Sequence, residues 1–202
     1  MILYGLAHLL RDRATPLWNL VEAANGRLFA LSHRDGLSRI PGILSARAGQ
    51  FLLREAVPED APALAEFFAA EPESSFEFFH PHAFDTGTLR RIAENPGFLA
   101  FVALEGGEIA GWFFIRCFAG GKGYAGWFVG ARFRGRGLAK IQISVLTEIA
   151  RTLGIRLFCT VSPRNAASAA ALKAVSGIRV LETLGDGSAL MECLPKTDFP
   201  GA

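Results

Sequence analysis

Two arginines interleaved with two glycines, Arg134-Gly135-Arg136-Gly137, followed by Leu138-Ala139, carry the strongest chemistry in the chain. Glycine removes the side chain that would keep a phosphate away from the main chain, and arginine adds charge-assisted donors for phosphate oxygens. A helix beginning at Leu138 would add unpaired N–H groups and a favourable dipole, which makes a diphosphate the natural guest. The segment has neither the Lys-Ser/Thr ending of a Walker loop nor the three-glycine dinucleotide pattern. The competing reading is a structural turn with solvated arginines.

Groups able to move a proton collect elsewhere. Glu77, His80 and His82 fall in a Phe-rich stretch without regular periodicity. An imidazole titrates near neutrality and accepts an amine proton directly or through water. Against this, His80-Pro81-His82 also reads as an exposed turn and Glu77 as a solvated charge. Phe76, Phe78, Phe79 and Phe84 read as core in preference to a substrate platform, and Tyr124 as a structural tyrosine. Cys117, Cys159 and Cys193 are odd in number, widely spaced and set in apolar runs. They suit no metal site and no disulfide framework, and they read as core thiols in a reducing, cytoplasmic compartment.

The elements that must position these groups alternate after residue 50. Phe51–Ala56 is a short strand, and Pro58 to Pro62 opens a helix carrying Leu64, Phe67 and Phe68. Residues 72–84 are irregular; Asp85 caps a short helix through Leu89 and Ile92 that ends at Asn95-Pro96-Gly97. Phe98–Leu104 and Ile109–Phe118 form a hairpin, and Tyr124–Val129 is a further strand leading into the arginine-glycine loop. Leu138, Ile141, Val145, Ile149 and Leu153 make the buried stripe of one helix, closed by Gly154. Ile155–Val161 is a strand, Asn165–Val175 an Ala-rich helix, and Ile178–Leu184 with Ser188–Leu194 a last hairpin. The order predicts an α/β fold with a mixed, largely antiparallel sheet flanked by helices.

Val129 to Ala139 resembles the acyl-CoA signature of the GNAT N-acyltransferase superfamily, Arg/Gln-x-x-Gly-x-Gly/Ala. Arg134, Gly137 and Ala139 fill its defining positions. A second register, with Arg132, Gly135 and Gly137, also fits, but the first places Leu138 as the first buried residue of the helix. Asn165, with Ser168 one turn later, resembles the family's second element, and the resemblance covers residues 51–194. It implies acyl transfer from acetyl-CoA or another acyl-CoA to an amine. It assigns Phe128 and Val129 to the pantetheine arm, Arg134, Gly135, Arg136, Gly137, Leu138 and Ala139 to the pyrophosphate, and Asn165 with Ser168 to the arm's amides. The chain departs from the family where many members carry a Tyr acid, seven residues after the Asn; here Leu172 stands. That departure is the argument for the rival reading, a non-catalytic CoA-binding or regulatory module.

Half the 202 residues are apolar and the formal net charge is +2, which excludes a disordered chain and offers no basic face for nucleic acid. The preferred partner is a small-molecule amine such as an amino sugar. Residues 1–48 form a helical extension ahead of a GNAT-like domain at 49–202, with apolar residues at helical spacing (Leu3, Leu6, Leu9, Leu10, then Leu17, Leu20, Val21, Ala24, Leu28) and Thr15-Pro16 opening the second helix. Similar extensions occur in bacterial GNAT-like proteins associated with surface-polysaccharide synthesis. The first 50 residues carry six arginines against Asp12, Glu22 and Asp35, leaving −1 for the remainder. Packing against the domain, a homodimer contact, peripheral contact with an anionic membrane and a protein-binding module all suit the extension. Its end, around Asp35-Gly36 and Ile40-Pro41-Gly42, reads as loop. The N-terminus reads poorly as a signal peptide, and no apolar run is long enough to span a bilayer.

Overall fold

The computed structural model describes residues 15–196, and of residues 15–20 the backbone alone. The Leu3–Leu10 periodicity and the expected Thr15 cap lie outside what is described. The helices are α1 (Thr15–Ser32), α2 (Arg34–Leu37), α3 (Ile40–Arg47), α4 (Ala61–Ala69), α5 (Thr86–Glu94), α6 (Leu138–Leu153) and α7 (Ala166–Val175). The strands are β1 (Leu52–Glu55), β2 (Phe98–Glu105), β3 (Glu108–Phe118), β4 (Lys122–Val129), β5 (Arg156–Val161), β6 (Gly177–Thr183) and β7 (Ala189–Leu194).

The strands make one sheet in the order β1-β2-β3-β4-β5-β7-β6, antiparallel except where β4 meets β5. Alternation along β3 divides the core. Phe113, Ile115 and Cys117 pack with α3 and α6 on one face, while Trp112 and Phe114 meet Leu64 and Phe68 of α4 and Leu89 and Ile92 of α5 on the other. Local signals end the helices as expected: Asp85 Oδ1 accepts from Thr88 N at 2.9 Å to start α5, and Gly154 closes α6 at φ 66°. The buried stripe of α6 is wider than its spacing suggests. Gln142, Ile143, Leu146 and Thr147 are buried too, because α3 and α7 also pack against this helix.

The stretches around Asp35-Gly36 and Ile40-Pro41-Gly42 are helical, in α2 and α3, contrary to the loop expectation. Pro41 sits in the first turn of α3, where it lacks no needed donor. Gly36 lets α2 approach α6, since a Cβ there would lie 2.7 Å from Leu153 Cδ2. Packing thus overrides the local turn signal.

The described part of the extension belongs to the same core as the sheet. Phe29 of α1 and Ile40 and Leu44 of α3 are buried in the cluster that contains Phe113 and Ile143. Gly26 abuts Gly97, whose Cβ would lie 2.9 Å from Gly26 Cα. Asn25 fastens α1 to the sheet: its Nδ2 donates to Cys117 O at 2.9 Å, and its Oδ1 accepts from Ala119 N at 3.0 Å.

Candidate active site

The β4–β5 ladder stops at the pair Tyr124–Phe158, and beyond it the two strands part. Residues in a strand turn their main-chain groups alternately to one neighbour and the other. Gly130 N donates to Ala110 O and Arg156 N to Gly121 O, so the even-numbered residues of β4 face β3 and the odd-numbered ones face β5. Past the split, the N–H and C=O of Trp127 and the N–H of Val129 therefore open into the gap without a strand partner. Phe128 lines the cleft, but the expected main-chain pairing at Phe128 is corrected. Its main chain is turned to β3, its carbonyl also accepts from Gln142 Nε2 at 3.0 Å, and its ring is buried among Phe67, Phe68, Phe76 and Phe79. Trp127, which the sequence did not single out, takes its place beside Val129.

The gap continues into a cleft of about 1160 Å³ that ends at the arginine-glycine loop and the start of α6. Gly137 is the residue ahead of the helix, at φ 83°, and no side chain caps the first turn. The leading N–H groups of α6 are therefore free to meet an anion. Arg134 lines this end; its guanidinium donates to Ser75 Oγ at 2.8 Å and to Val129 O at 3.3 Å. Gly135, Leu138 and Ala139 line it as well.

Arg136 does not. It is drawn outward into a two-pronged pair with Glu105, at 2.5 and 2.6 Å, so the expectation that it holds phosphate is corrected. Arg132, the key residue of the second register, is largely exposed and pairs with Glu108, which favours the register led by Arg134.

Glu71, at the end of α4, secures the loop. Its carboxylate accepts from Ala131 N at 3.0 Å and from Ser75 Oγ at 3.0 Å, so Glu71, Ser75 and Arg134 form a relay into the cleft. No local signal points to this contact, which spans 60 residues of chain. Gln142, one turn after Leu138, was also missed; its Nε2 holds β4 through the Phe128 carbonyl.

Across the gap, Asn165 caps α7: its Oδ1 accepts from Ser168 N at 3.1 Å, and both residues line the cleft. This leaves the Nδ2 of Asn165 without a protein partner among the described residues. The small side chains Ala167, Ala170, Ala171 and Ala174 make the rest of this wall. Leu172 is fully buried and turned into the core, away from the cleft.

The far end of the cleft is formed by Phe98, Phe114, Arg116 and Tyr124 beneath the segment Phe78–Pro81. Gly126 provides its floor; a Cβ there would lie 2.4 Å from the ring of Phe114. Of the three proposed proton carriers, His80 alone lines the cleft. Glu77 lies at the surface, 3.1 Å from Arg164.

His82 is set among the rings of Phe84, Phe98, Trp112 and Phe114, with Nδ1 2.8 Å from Ala83 O and Nε2 buried without a partner. Burial holds its imidazole below the usual histidine range. Of the aromatic group, Phe76, Phe79 and Phe84 pack against the core as expected, Phe79 also lining the cleft, whereas Phe78 faces the cleft alone. Tyr124 is partly exposed and lines the cleft as well. Cys159 touches the cleft wall, but it is buried against Cys193, and that contact together with burial pushes its thiol far up. Among the described residues no cluster of His, Cys, Asp and Glu could hold a metal ion.

Residues 50–176 match the model of the acetyltransferase (GNAT) domain. The chain belongs to the GNAT acetyltransferase family and is an N-acyltransferase by that membership. A search of curated proteins finds no match. Among solved structures, the GNAT domain of S. lividans PAT is similar at 20% identity and a TM-score of 0.61, over 70% of this chain and 89% of that one. The ribosomal-protein-S5-alanine acetyltransferase from Vibrio fischeri is 16% identical with a TM-score of 0.61, over 75% of this chain and 96% of that one. An aminoglycoside acetyltransferase, AAC(6')-Ib in complex with coenzyme A and kanamycin, is 17% identical with a TM-score of 0.57, over 73% of this chain and 95% of that one. At such identities these likenesses establish the fold.

Proposed function

We propose that the protein transfers an acyl group, acetyl in the first instance, from acyl-CoA to the amine of a small molecule by direct attack on the thioester. The observation that carries this reading is the continuity of the open edge of β4 with the uncapped start of α6. An extended chain of amides can pair with Trp127 and Val129 while a diphosphate at one end meets Gly135, Gly137, Leu138, Ala139 and Arg134. Asn165 offers a free amide donor to the same arm, with Ser168 beside it.

When bound, acyl-CoA supplies a thioester carbonyl for a nucleophile. The chain's part is to orient that carbonyl against the β4 edge and to leave the space over Gly126 for the amine. His80 at the rim takes up the proton the amine loses. We place the activity in the cytoplasm, where unpaired thiols such as Cys117, Cys159 and Cys193 persist. Among the described residues no helix is long and apolar enough to cross a membrane.

Isothermal titration of the whole chain with CoA, followed by thiol release from acetyl-CoA across a panel of amines, tests the proposal. CoA binding with amine-dependent release is the expected result. Absence of CoA binding overturns it.

A further inference from the structure

The acceptor end of the cleft carries a guanidinium that its ion-pair partner only partly engages. Among the described residues that line the cleft there is no aspartate and no glutamate. Arg134 and Lys140 sit near the loop end, so Arg116 is the fixed cation of the described lining at the other end. Arg116 lies on β3 between its cross-strand neighbours Phe98 and Tyr124, and all three share the cleft face.

Glu22 of α1 pairs with one terminal nitrogen of Arg116, and the ring of Phe118 lies 5.5 Å from the guanidinium carbon. These contacts steer the side chain, which stays 40% exposed, and leave Nε and the second terminal nitrogen without acceptors among the described residues. A planar fork with free donors, set in an aromatic-walled cleft, suits a carboxylate or phosphate.

We infer that the acceptor is an amine that also carries an anionic group, a carboxylate or a phosphate, and that Arg116 binds that group. The inference rests on the acyl-transfer reading above and names its substrate class. A polycationic acceptor would bring its ammonium groups against Arg116, and the described lining offers them no carboxylate. The N–C bond forms as the C–S bond breaks, with the electron pair leaving on sulfur and the amine proton passing to His80 or to water.

The test uses the whole chain with saturating acetyl-CoA and reads thiol release. Matched acceptors are phenylalanine against phenylalaninamide, glucosamine 6-phosphate against glucosamine, and kanamycin as the polycation. The expected result is kcat/KM at least about ten-fold higher for the anionic member of one pair, equivalent to ~1.4 kcal/mol. Which pair responds tells carboxylate from phosphate. The amide's less basic amine makes the first comparison a severe one.

Arg116→Gln should reduce that preference to within about three-fold through the KM of the anionic acceptor, leaving the KM for acetyl-CoA in place, and Arg116→Lys should restore part of it. Preference for a neutral or polycationic acceptor overturns the inference, as does an Arg116→Gln variant that folds and keeps the preference. If CoA binds and no acceptor turns over, the acyl-transfer reading fails separately. The CoA-loaded protein then decides the anion site by titration: N-acetylphenylalanine should bind more tightly than its amide, and equal affinity overturns the inference.

Discussion

Replacing Gly137 by alanine separates the anion site from the stability of the turn that forms it. Gly137 holds φ at +83°, and a Cβ built there would meet nothing within 4 Å. The folding cost of Gly137→Ala is therefore left-handed backbone strain alone, roughly 1–2 kcal/mol. For a chain of this size each kcal/mol lowers Tm by roughly 2–4 °C, so a fall of about 2–8 °C is expected.

Gly187, between β6 and β7, supplies a matched control: it holds φ at +81° and is equally open. Gly187→Ala should destabilise by the same amount. The two differ in what the new methyl faces. At position 137 it projects beside the uncapped N–H groups of α6 and keeps phosphate oxygens from them. Loss of one charge-assisted hydrogen bond, about 1.5–3 kcal/mol, weakens CoA by about ten-fold or more. Isothermal titration should find that loss for CoA with Gly137→Ala, unchanged CoA affinity with Gly187→Ala, and no loss for pantetheine, which lacks the diphosphate. If both variants bind CoA like the parent, the diphosphate does not sit at the start of α6 and the placement of the cofactor is refuted.

Three further results are expected. Glu71→Ala frees Ala131 N and Ser75 together, so the KM for acetyl-CoA should rise by about five-fold or more while Glu71→Gln retains part of the effect; steady-state kinetics at saturating acceptor reads this. Of the proton carriers, His80→Ala should lower kcat by about 100-fold, whereas Glu77→Gln and His82→Phe should leave kcat within about two-fold. His82 should instead show in stability. Its folded pKa is depressed by burial, so as pH falls through about 6.5 the unfolded chain takes up a proton that the folded chain refuses. Stability held above that pH is lost on acidification, and between pH 7 and 5 the Tm of His82→Phe should fall less than that of the parent.

The loop end of the site was legible because its determinants are contiguous. A strand, two glycines and the first buried residue of a helix lie within a dozen positions, and the conformation that Gly137 adopts is one the residue type already suggests. The acceptor end was not, because Phe98, Arg116, Tyr124 and His80 come from four segments that only the sheet register brings together. Glu77, His80 and His82 show the limit directly. In an irregular segment no period tells which side chain faces inward, and the structure sends one to the surface, one to the rim and one into the aromatic core. Arg136 failed for a related reason: Glu105, at the β2–β3 turn, competes for it, and a contact across 31 residues leaves no local trace. The succession of elements and the hairpins β2–β3 and β6–β7 were readable, since hairpin turns and helix caps are local, whereas the placement of β7 between β5 and β6 was not. The helices α2 and α3 were not, because tertiary contact with α6 outweighed their Gly and Pro signals.

The position of Leu172 sharpens what kind of transferase this cleft can be. Many relatives place a phenol seven residues after the Asn, yet here that position is turned fully into the core, and the wall that α7 gives the cleft is alanine with Ser168. The departure is therefore one of geometry as well as of residue type, and a tyrosine at 172 would overpack the core before it reached the substrate. With no acid on that wall and no carboxylate among the described lining residues, the proton donors left to the departing sulfur in the described lining include Tyr124 and His80. Arg116 and Arg134 stand at opposite ends of the cleft; burial pushes the Cys117 thiol far up, and contact with Cys193 together with burial does the same to Cys159, so neither adds negative charge. Glu22 offsets much of the charge of Arg116, so what the described lining, without a carboxylate, selects is an anionic group on the acceptor that meets the guanidinium's remaining donors.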